Sequence, residues 1–172
     1  KPRILLVDDD PQIRALAVDL LKQEFPDYQC EEVVDGRGLA RVLEEGQACL
    51  VITDYQLNWT NGLEVFRQVK AHWPDCPVIM FTGTGSEEIA VEAMKAGLDD
   101  YVLKSLQHIV RLTAAVRTVL AQAQQRRQLR ENEARQRSLL NDVLDTSAVG
   151  LFVLDAEFKV VWINSALERY FG

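Results

Sequence analysis

Six polar residues stand just past the ends of four apolar runs, and their types are those of phosphoryl chemistry. Asp8, Asp9 and Asp10 follow Ile4-Leu5-Leu6-Val7, Asp54 follows Leu50-Val51-Ile52-Thr53, Thr82 follows Val78-Ile79-Met80-Phe81, and Lys104 follows Tyr101-Val102-Leu103. Carboxylates brought into one small volume repel one another unless a cation sits among them. Hard oxygen donors in small number suit Mg²⁺, which keeps several waters and accepts a phosphate oxygen as a further ligand. Beside such an ion a carboxylate can attack phosphorus and become an aspartyl phosphate. An ammonium such as Lys104 can hold one phosphate oxygen, and a hydroxyl such as Thr82 can donate to another. Taken singly, an aspartate after a strand is a turn or a helix cap, a threonine a strand end, and a lysine a solvated charge. Their conjunction carries the chemistry.

The segments between these runs must place them together. Pro11 starts a stretch in which Ile13, Leu16, Ala17, Leu20 and Leu21 keep helical spacing, with Asp10 suited to cap it. Cys30 to Val34 reads as a strand, Gly36 to Glu45 as a helix with Leu39, Val42 and Leu43 inward, and Ala48 to Asp54 as a strand apolar on both faces. Asn61-Gly62 turns into a helix bearing Leu63, Val65, Phe66 and Val69, which Pro74 stops. Pro77 opens a fourth strand, Ser86 is placed to cap a helix through Ala90, Val91 and Met94 to Gly97, and Tyr101 to Leu103 is a short fifth strand. Strands joined by helices are parallel, so their carboxyl ends share one edge, and ligands bind there at the point where strand order reverses.

From Leu106 the pattern becomes one long helix, without glycine or proline as far as Asp145. Ile109, Leu112, Val116, Val119 and Ala123 keep a three-and-four spacing, whereas 124–138 is almost wholly polar and carries Arg126, Arg127, Arg130, Arg135 and Arg137. A polar helix of this length is marginal alone, and pairing with a second copy from Leu106 onward is the expected remedy. Val149 to Gly172 reads as two strands and a short helix, Gly150 to Leu154 and Val160 to Ile163 flanking a tight connection. That is too little for an independent core, so the rest of this domain is expected beyond Gly172.

Bulk properties narrow the function classes. The 172 residues are 48% hydrophobic, enough for one full domain and part of another. A net charge of −7 argues against broad nucleic-acid binding. With neither a membrane-length apolar run nor a secretory leader, a soluble cytoplasmic location is expected. Cys30, Cys49 and Cys76 are odd in number and widely spaced, which suits buried reduced thiols.

The motifs Leu6-Val7-Asp8-Asp9, Asp54-Tyr55-Gln56-Leu57 with Asn61-Gly62, Phe81-Thr82-Gly83 and Asp100-Tyr101-Val102-Leu103-Lys104 resemble the receiver domain of bacterial response regulators. The resemblance implies a flavodoxin-like, doubly wound α/β fold with a five-stranded parallel sheet in the order 2-1-3-4-5. It implies Asp54 as phosphoacceptor, Mg²⁺ held by Asp8, Asp9, Asp54 and the backbone carbonyl of Gln56, phosphate held by Thr82 and Lys104, and Thr82 with Tyr101 as a switch pair. The implied partner is a sensor histidine kinase or a phosphotransfer protein. These residues would be a phosphoacceptor, with autophosphatase activity at most, and any enzymatic output would lie beyond them. Two departures stand out: Asn58 and Ser105 occupy positions where the family usually has proline. In the family the second proline follows a cis peptide, and a cis bond before serine would cost about 2.5–4 kcal/mol, so a trans loop is expected after Lys104.

Leu144-Asp145-Thr146-Ser147, Gly150 to Leu154 and Trp162-Ile163-Asn164-Ser165-Ala166-Leu167 resemble the start of a PAS sensor domain. The organisation expected is a receiver over 1–119, a helical coiled-coil linker over 120–145 and the amino-terminal part of a PAS-like α+β domain over 146–172. Two other readings compete. A pseudo-receiver that only dimerises or docks a partner would use none of the acid chemistry. A haloacid-dehalogenase-like phosphatase would use Asp8 as nucleophile and Asp10 as general acid, but it lacks a later acidic motif and leaves Asp54 without a role.

Overall fold

The structure is a computed structural model that describes residues 1–83, 87–104, 109–146 and 149–171. The chain forms two compact units, Lys1–Gln124 and Gln125–Gly172.

In the first unit β1 (Arg3–Val7), α1 (Pro11–Glu24), β2 (Gln29–Val33), α2 (Gly36–Glu45), β3 (Leu50–Thr53), α3 (Gly62–His72), β6 (Val78–Thr82), α4 (Glu87–Lys95) and β7 (Asp100–Leu103) alternate, and α5 (Ile109–Thr146) follows. Two short strands, β4 (Gln56–Leu57) and β5 (Thr60–Asn61), form a hairpin between β3 and α3 that periodicity did not anticipate. The main sheet is parallel in the order β2-β1-β3-β6-β7, the five-stranded order expected. Ile4 faces Cys30 on one side and Leu50 on the other, so β1 is central.

Alternation along each strand feeds two cores. Leu5, Val7, Val51, Val78 and Met80 pack with Leu39, Val42, Leu63, Val65, Phe66 and Val69 of α2 and α3. Ile4, Leu6, Leu50, Ile52, Ile79 and Phe81 pack with Ala17, Val18 and Leu21 of α1 and with Leu112, Val116 and Val119 of α5. The last set corrects one expectation: the regular apolar seam at the start of α5 is absorbed by the sheet and is not free for a second copy. Two helix faces are also corrected. On α1 the buried residues are Ala17, Val18 and Leu21, with Leu16 exposed, because Arg14 occupies the inner face and its guanidinium donates to Asp8 O at 2.9 Å. On α4 the small Ala93 is buried, while Val91 and Met94 lie about half exposed.

Side chains cap the helices as polar residues before a first turn do. Asp10 accepts from Gln12 N and Ile13 N, Asp35 from Gly38 N, and Asn61 from Glu64 N. The cap expected at Ser86 and the loop geometry expected at Ser105 lie outside the described residues, as do Leu106 and Ser147. Cys76 is buried, whereas Cys30 and Cys49 are half-buried, contrary to the expectation of three buried thiols. Burial pushes the Cys49 thiol up to about 11 and the Cys76 thiol up to about 12, so both are thiols at neutral pH.

The second unit holds the remainder of α5, the antiparallel pair β8 (Phe152–Leu154) and β9 (Val160–Ile163), and α6 (Ser165–Phe171). Asp155 Oδ1 accepts from Glu157 N and Lys159 N and so closes the hairpin turn. Buried Asn164 ties the unit together: its Oδ1 accepts from Leu151 N and Leu167 N, and its Nδ2 donates to Leu144 O and Val149 O. Among the described residues no helix is long and apolar enough to cross a membrane.

Candidate functional site at the sheet edge

The ladder continues one residue past two strand ends and thereby fixes two acids. Asp8 N donates to Val33 O at 3.1 Å, and Asp54 N donates to Val7 O at 2.9 Å. Their carboxylates are only 1% and 9% exposed by residue, at the edge where β1 separates β2 from β3. Asp8 Oδ1 accepts from Asp10 N at 2.9 Å, and Asp54 Oδ1 accepts from Tyr55 N at 2.6 Å.

Lys104 reaches both acids from the far side of the edge. Its Nζ donates to Asp54 Oδ2 at 2.7 Å and lies 2.7 Å from Asp8 Oδ2 as an ion pair out of hydrogen-bond alignment. Lys104 N donates to Thr82 O at 2.7 Å, which ties the base of the lysine to the end of β6. Thr82 itself is fully buried.

Asp9 is half-exposed and completes the acid set. Ligand atoms of Asp8, Asp9 and Asp54 lie within 4.8 Å of one another. The donor chemistry fits a small, hard divalent cation, because three carboxylates face a single ammonium. The electrostatics point the same way. Burial pushes the Asp8 carboxyl above the usual carboxylate range, the Lys104 ammonium beside it and the hydrogen bond from Asp10 N oppose that, and the charge of Asp54 adds to it. A cation among them would remove the conflict.

Asp10 does not join the group. Hydrogen bonds from Ile13 N and Gln12 N hold its carboxyl below the usual range and commit it to capping α1, away from the general-acid role that a phosphatase acting through Asp8 would give it.

Tyr101 packs with Tyr55, Leu57 and Trp59 against the core under α2 and α3. Its Oη is buried and finds no hydrogen-bond partner among the described residues. Burial raises its phenol above the ordinary value, with smaller contributions from Asp54 and Tyr55. In the ladder Tyr101 is opposite Met80, and Thr82 is opposite Leu103. Gln56 lies two residues past Asp54 at the start of β4, opposite Asn61.

Sequence reasoning missed three supports. Gly62 N donates to Tyr55 O at 2.8 Å, and a Cβ on Gly62 would overlap Asp54 O and come 3.0 Å from Tyr55 Cα. Trp59 lies against Gly36, where an added Cβ would meet its Cε3 at 3.2 Å. Asn58 N donates to Asp9 Oδ2 at 2.6 Å. Gly62 and Asn58 both stood out in the sequence, one as a turn residue and one as a departure, but contacts made by backbone atoms leave no trace in residue type.

Comparison with known proteins agrees with this geometry. Residues 4–117 match the family described as the response regulator receiver domain. The phosphate regulon transcriptional regulatory protein PhoB of Pseudomonas aeruginosa is 31% identical over 119 residues, 66% of this chain and 51% of that protein. The photosynthetic apparatus regulatory protein RegA of Cereibacter sphaeroides is 34% identical over 102 residues, 59% of this chain and 54% of that one. Among solved structures, a CheY-like receiver from Methanospirillum hungatei superposes with a TM-score of 0.65 at 29% identity, covering 73% of this chain and 98% of that one. The response regulator TrrA of Thermotoga maritima, solved in complex with Mg(2+)-BeF, gives a TM-score of 0.60 at 28% identity, covering 69% of this chain and 99% of that one. The chain spans about half the length of the curated relatives it matches, at 51% and 54%. The parallel sheet, the acids at its edge and the match over residues 4–117 together establish that this chain belongs to the response regulator receiver domain family of two-component systems.

Proposed function

We propose that Asp54 accepts a phosphoryl group from a histidine kinase or a phosphotransfer protein and that the receiver passes the resulting change along α5. The observation that carries this reading is the placement of Lys104 Nζ at 2.7 Å from both Asp54 Oδ2 and Asp8 Oδ2. A lysine so placed can move from two carboxylates to a phosphoryl oxygen without crossing solvent.

In the step itself an Asp54 carboxylate oxygen bonds to phosphorus while the bond from phosphorus to the donor imidazole breaks, and the electron pair leaves with the imidazole. Asp8, Asp9, Asp54 and the carbonyl of Gln56 would hold Mg²⁺, and a similar receiver solved with Mg(2+)-BeF supports that class of cation. Bound there, the ion would offset the negative charge that gathers around the reacting phosphoryl group. Lys104 takes one phosphoryl oxygen as a point charge, and the Thr82 hydroxyl donates to another. Thr82 and Tyr101 act as the switch pair, and among the described residues no hydrogen bond to Tyr101 Oη holds the aromatic side chain where it is.

The receiver extends over 1–119, 120–145 is a helical linker that pairs with a second copy, and 146–172 begins a PAS-like sensor domain. The hairpin of β8 and β9, the buried Asn164 and α6 support that last assignment. The reduced cysteines suit a cytoplasmic location, and the net charge of −7 assigns no nucleic-acid contact to these residues. No catalytic activity beyond self-dephosphorylation is assigned to them.

Intact mass after incubation with acetyl phosphate and Mg²⁺ tests the central claim. One labile phosphoryl adduct is expected, lost in Asp54→Asn and retained in Asp10→Asn. Folded protein without an adduct would make this a pseudo-receiver, and an adduct that survives Asp54→Asn would place the nucleophile elsewhere.

A further inference from the structure

We propose that the backbone N–H of Asn58 is a positioning donor for Asp9 and sets the affinity of the acid cluster for a divalent cation. This role rests on the reading of Asp8, Asp9 and Asp54 as a Mg²⁺ site. Asn58 N donates to Asp9 Oδ2 at 2.6 Å, a short bond of the charge-assisted kind. Asp9 is half-exposed, unlike buried Asp8 and Asp54, so packing alone does not select its rotamer. Held by that N–H, its carboxylate completes a set of ligand atoms within 4.8 Å. Ligating carboxylates that are themselves hydrogen-bonded are preorganised, and outer partners of this kind control metal affinity.

The loop that carries the donor is well anchored. Gln56 pairs with Asn61 and Leu57 with Thr60, which makes Asn58 and Trp59 the two central residues of a tight turn. Trp59 lies against Gly36 at the start of α2, and Gly62 N donates to Tyr55 O at 2.8 Å at the base of the hairpin. Neither central residue has a positive φ, since Phe158 alone does so among the described non-glycine residues. A turn of that kind accepts proline at its first central position, with φ fixed near −65°. Asn58→Pro therefore deletes the donor while leaving the turn intact, and Asn58→Ala deletes the side chain while leaving the donor.

Calorimetric titration of the 172-residue protein with Mg²⁺ tests the role. Asn58→Pro is expected to weaken binding about tenfold, with the melting temperature of the metal-free protein unchanged, and Asn58→Ala to bind within about twofold of the wild type. Equal affinity in Asn58→Pro and wild type overturns the proposal, as does an equal loss in Asn58→Ala. No Mg²⁺ uptake by the wild type overturns the metal-site reading and this role with it. Amide exchange supplies a measurement that needs no proline variant: exchange at Asn58 is slowed in the wild type and released in Asp9→Ala, and identical exchange in the two would overturn the hydrogen bond itself.

Discussion

At the scale of single residues the edge of the sheet is a site of stored electrostatic conflict. Asp8 is buried, and desolvation raises its carboxyl despite the lysine beside it. A raised acid favours the fold only where it is protonated, so its contribution is present below the ordinary carboxylate range and lost as pH rises through the raised value. Metal-free protein at neutral pH therefore carries the Asp8 charge at a cost. Asp8→Asn is expected to raise the melting temperature of the metal-free protein at pH 7 by about 2–4 °C, with the gain disappearing in acid, and to be stabilised less by added Mg²⁺ than the wild type. Thermal melts across pH, with and without chelator, check both signs. Gly62 is constrained sterically, not by charge. A Cβ there would overlap Asp54 O, and the obstacle is backbone that cannot rotate away. Gly62→Ala is expected to cost about 1–3 kcal/mol in urea denaturation and to slow phosphorylation of Asp54, since the displaced atoms belong to the residue proposed as phosphoacceptor. Asp8, Asp9, Asp54 and Lys104 were legible because they are polar residues just past apolar strands, and Thr82 because it ends one. The supports from Gly62 and Asn58 were not legible, because the close approach of Asp54 O and the bond to Asp9 involve backbone atoms whose placement only the folded chain fixes.

At the scale of elements, order and type followed from periodicity, and helix orientation was the weaker part. The apolar face of α1 was read through Ile13, Leu16, Ala17, Leu20 and Leu21, of which Ala17 and Leu21 are buried, yet Val18 joins them in place of the exposed Leu16, with Arg14 reaching Asp8 O from the inner end. A polar residue on the inner face hides that face from a hydrophobic count. On α4 the reverse holds: Ala93 is small because it meets the core, and the larger Val91 and Met94 point away. The spacing on α5 was correct, but it did not say which surface the seam meets. Leu112 and Val116 are fully buried among Leu6, Ile52 and Phe81, whereas Leu140 is 63% exposed. Leu112→Ala is accordingly expected to destabilise the first unit by about 2–5 kcal/mol in equilibrium denaturation. Leu140→Ala is expected to change the same transition by no more than about 0.5 kcal/mol. A comparable loss from both would mean that the two halves of the helix share one core.

At the scale of the whole molecule, the seam absorbed by the sheet moves the question of pairing to the far half of the helix. The first unit ends at Gln124, and its two cores lie on the faces of one sheet. From Gln125 onward α5 belongs to the second unit, and Leu129, Leu139, Leu140 and Val143 are all exposed. Leu129 and Val143 are two heptads apart, with Leu139 and Leu140 on either flank of the stripe they define, and Asn132 and Gln136 interrupt that stripe, so its apolar contacts are concentrated at the two ends. The arginines do not forbid pairing. Arg127 Nε donates to Glu131 Oε1 at 2.7 Å within the same helix, so that arginine's charge is met along its own helix. A polar helix of this length is marginal in water by itself, and contact with a second copy would supply the burial it lacks. In sedimentation equilibrium the 172-residue protein is therefore expected to dimerise and a fragment ending at Gln124 to remain monomeric, both with cooperative unfolding of the receiver. Leu129→Ala combined with Val143→Ala should weaken the dimer without shifting that unfolding. Dimerisation of the shorter fragment would relocate the interface to the receiver surface, and a monomeric longer protein would leave α5 as a spacer whose exposed leucines need another partner.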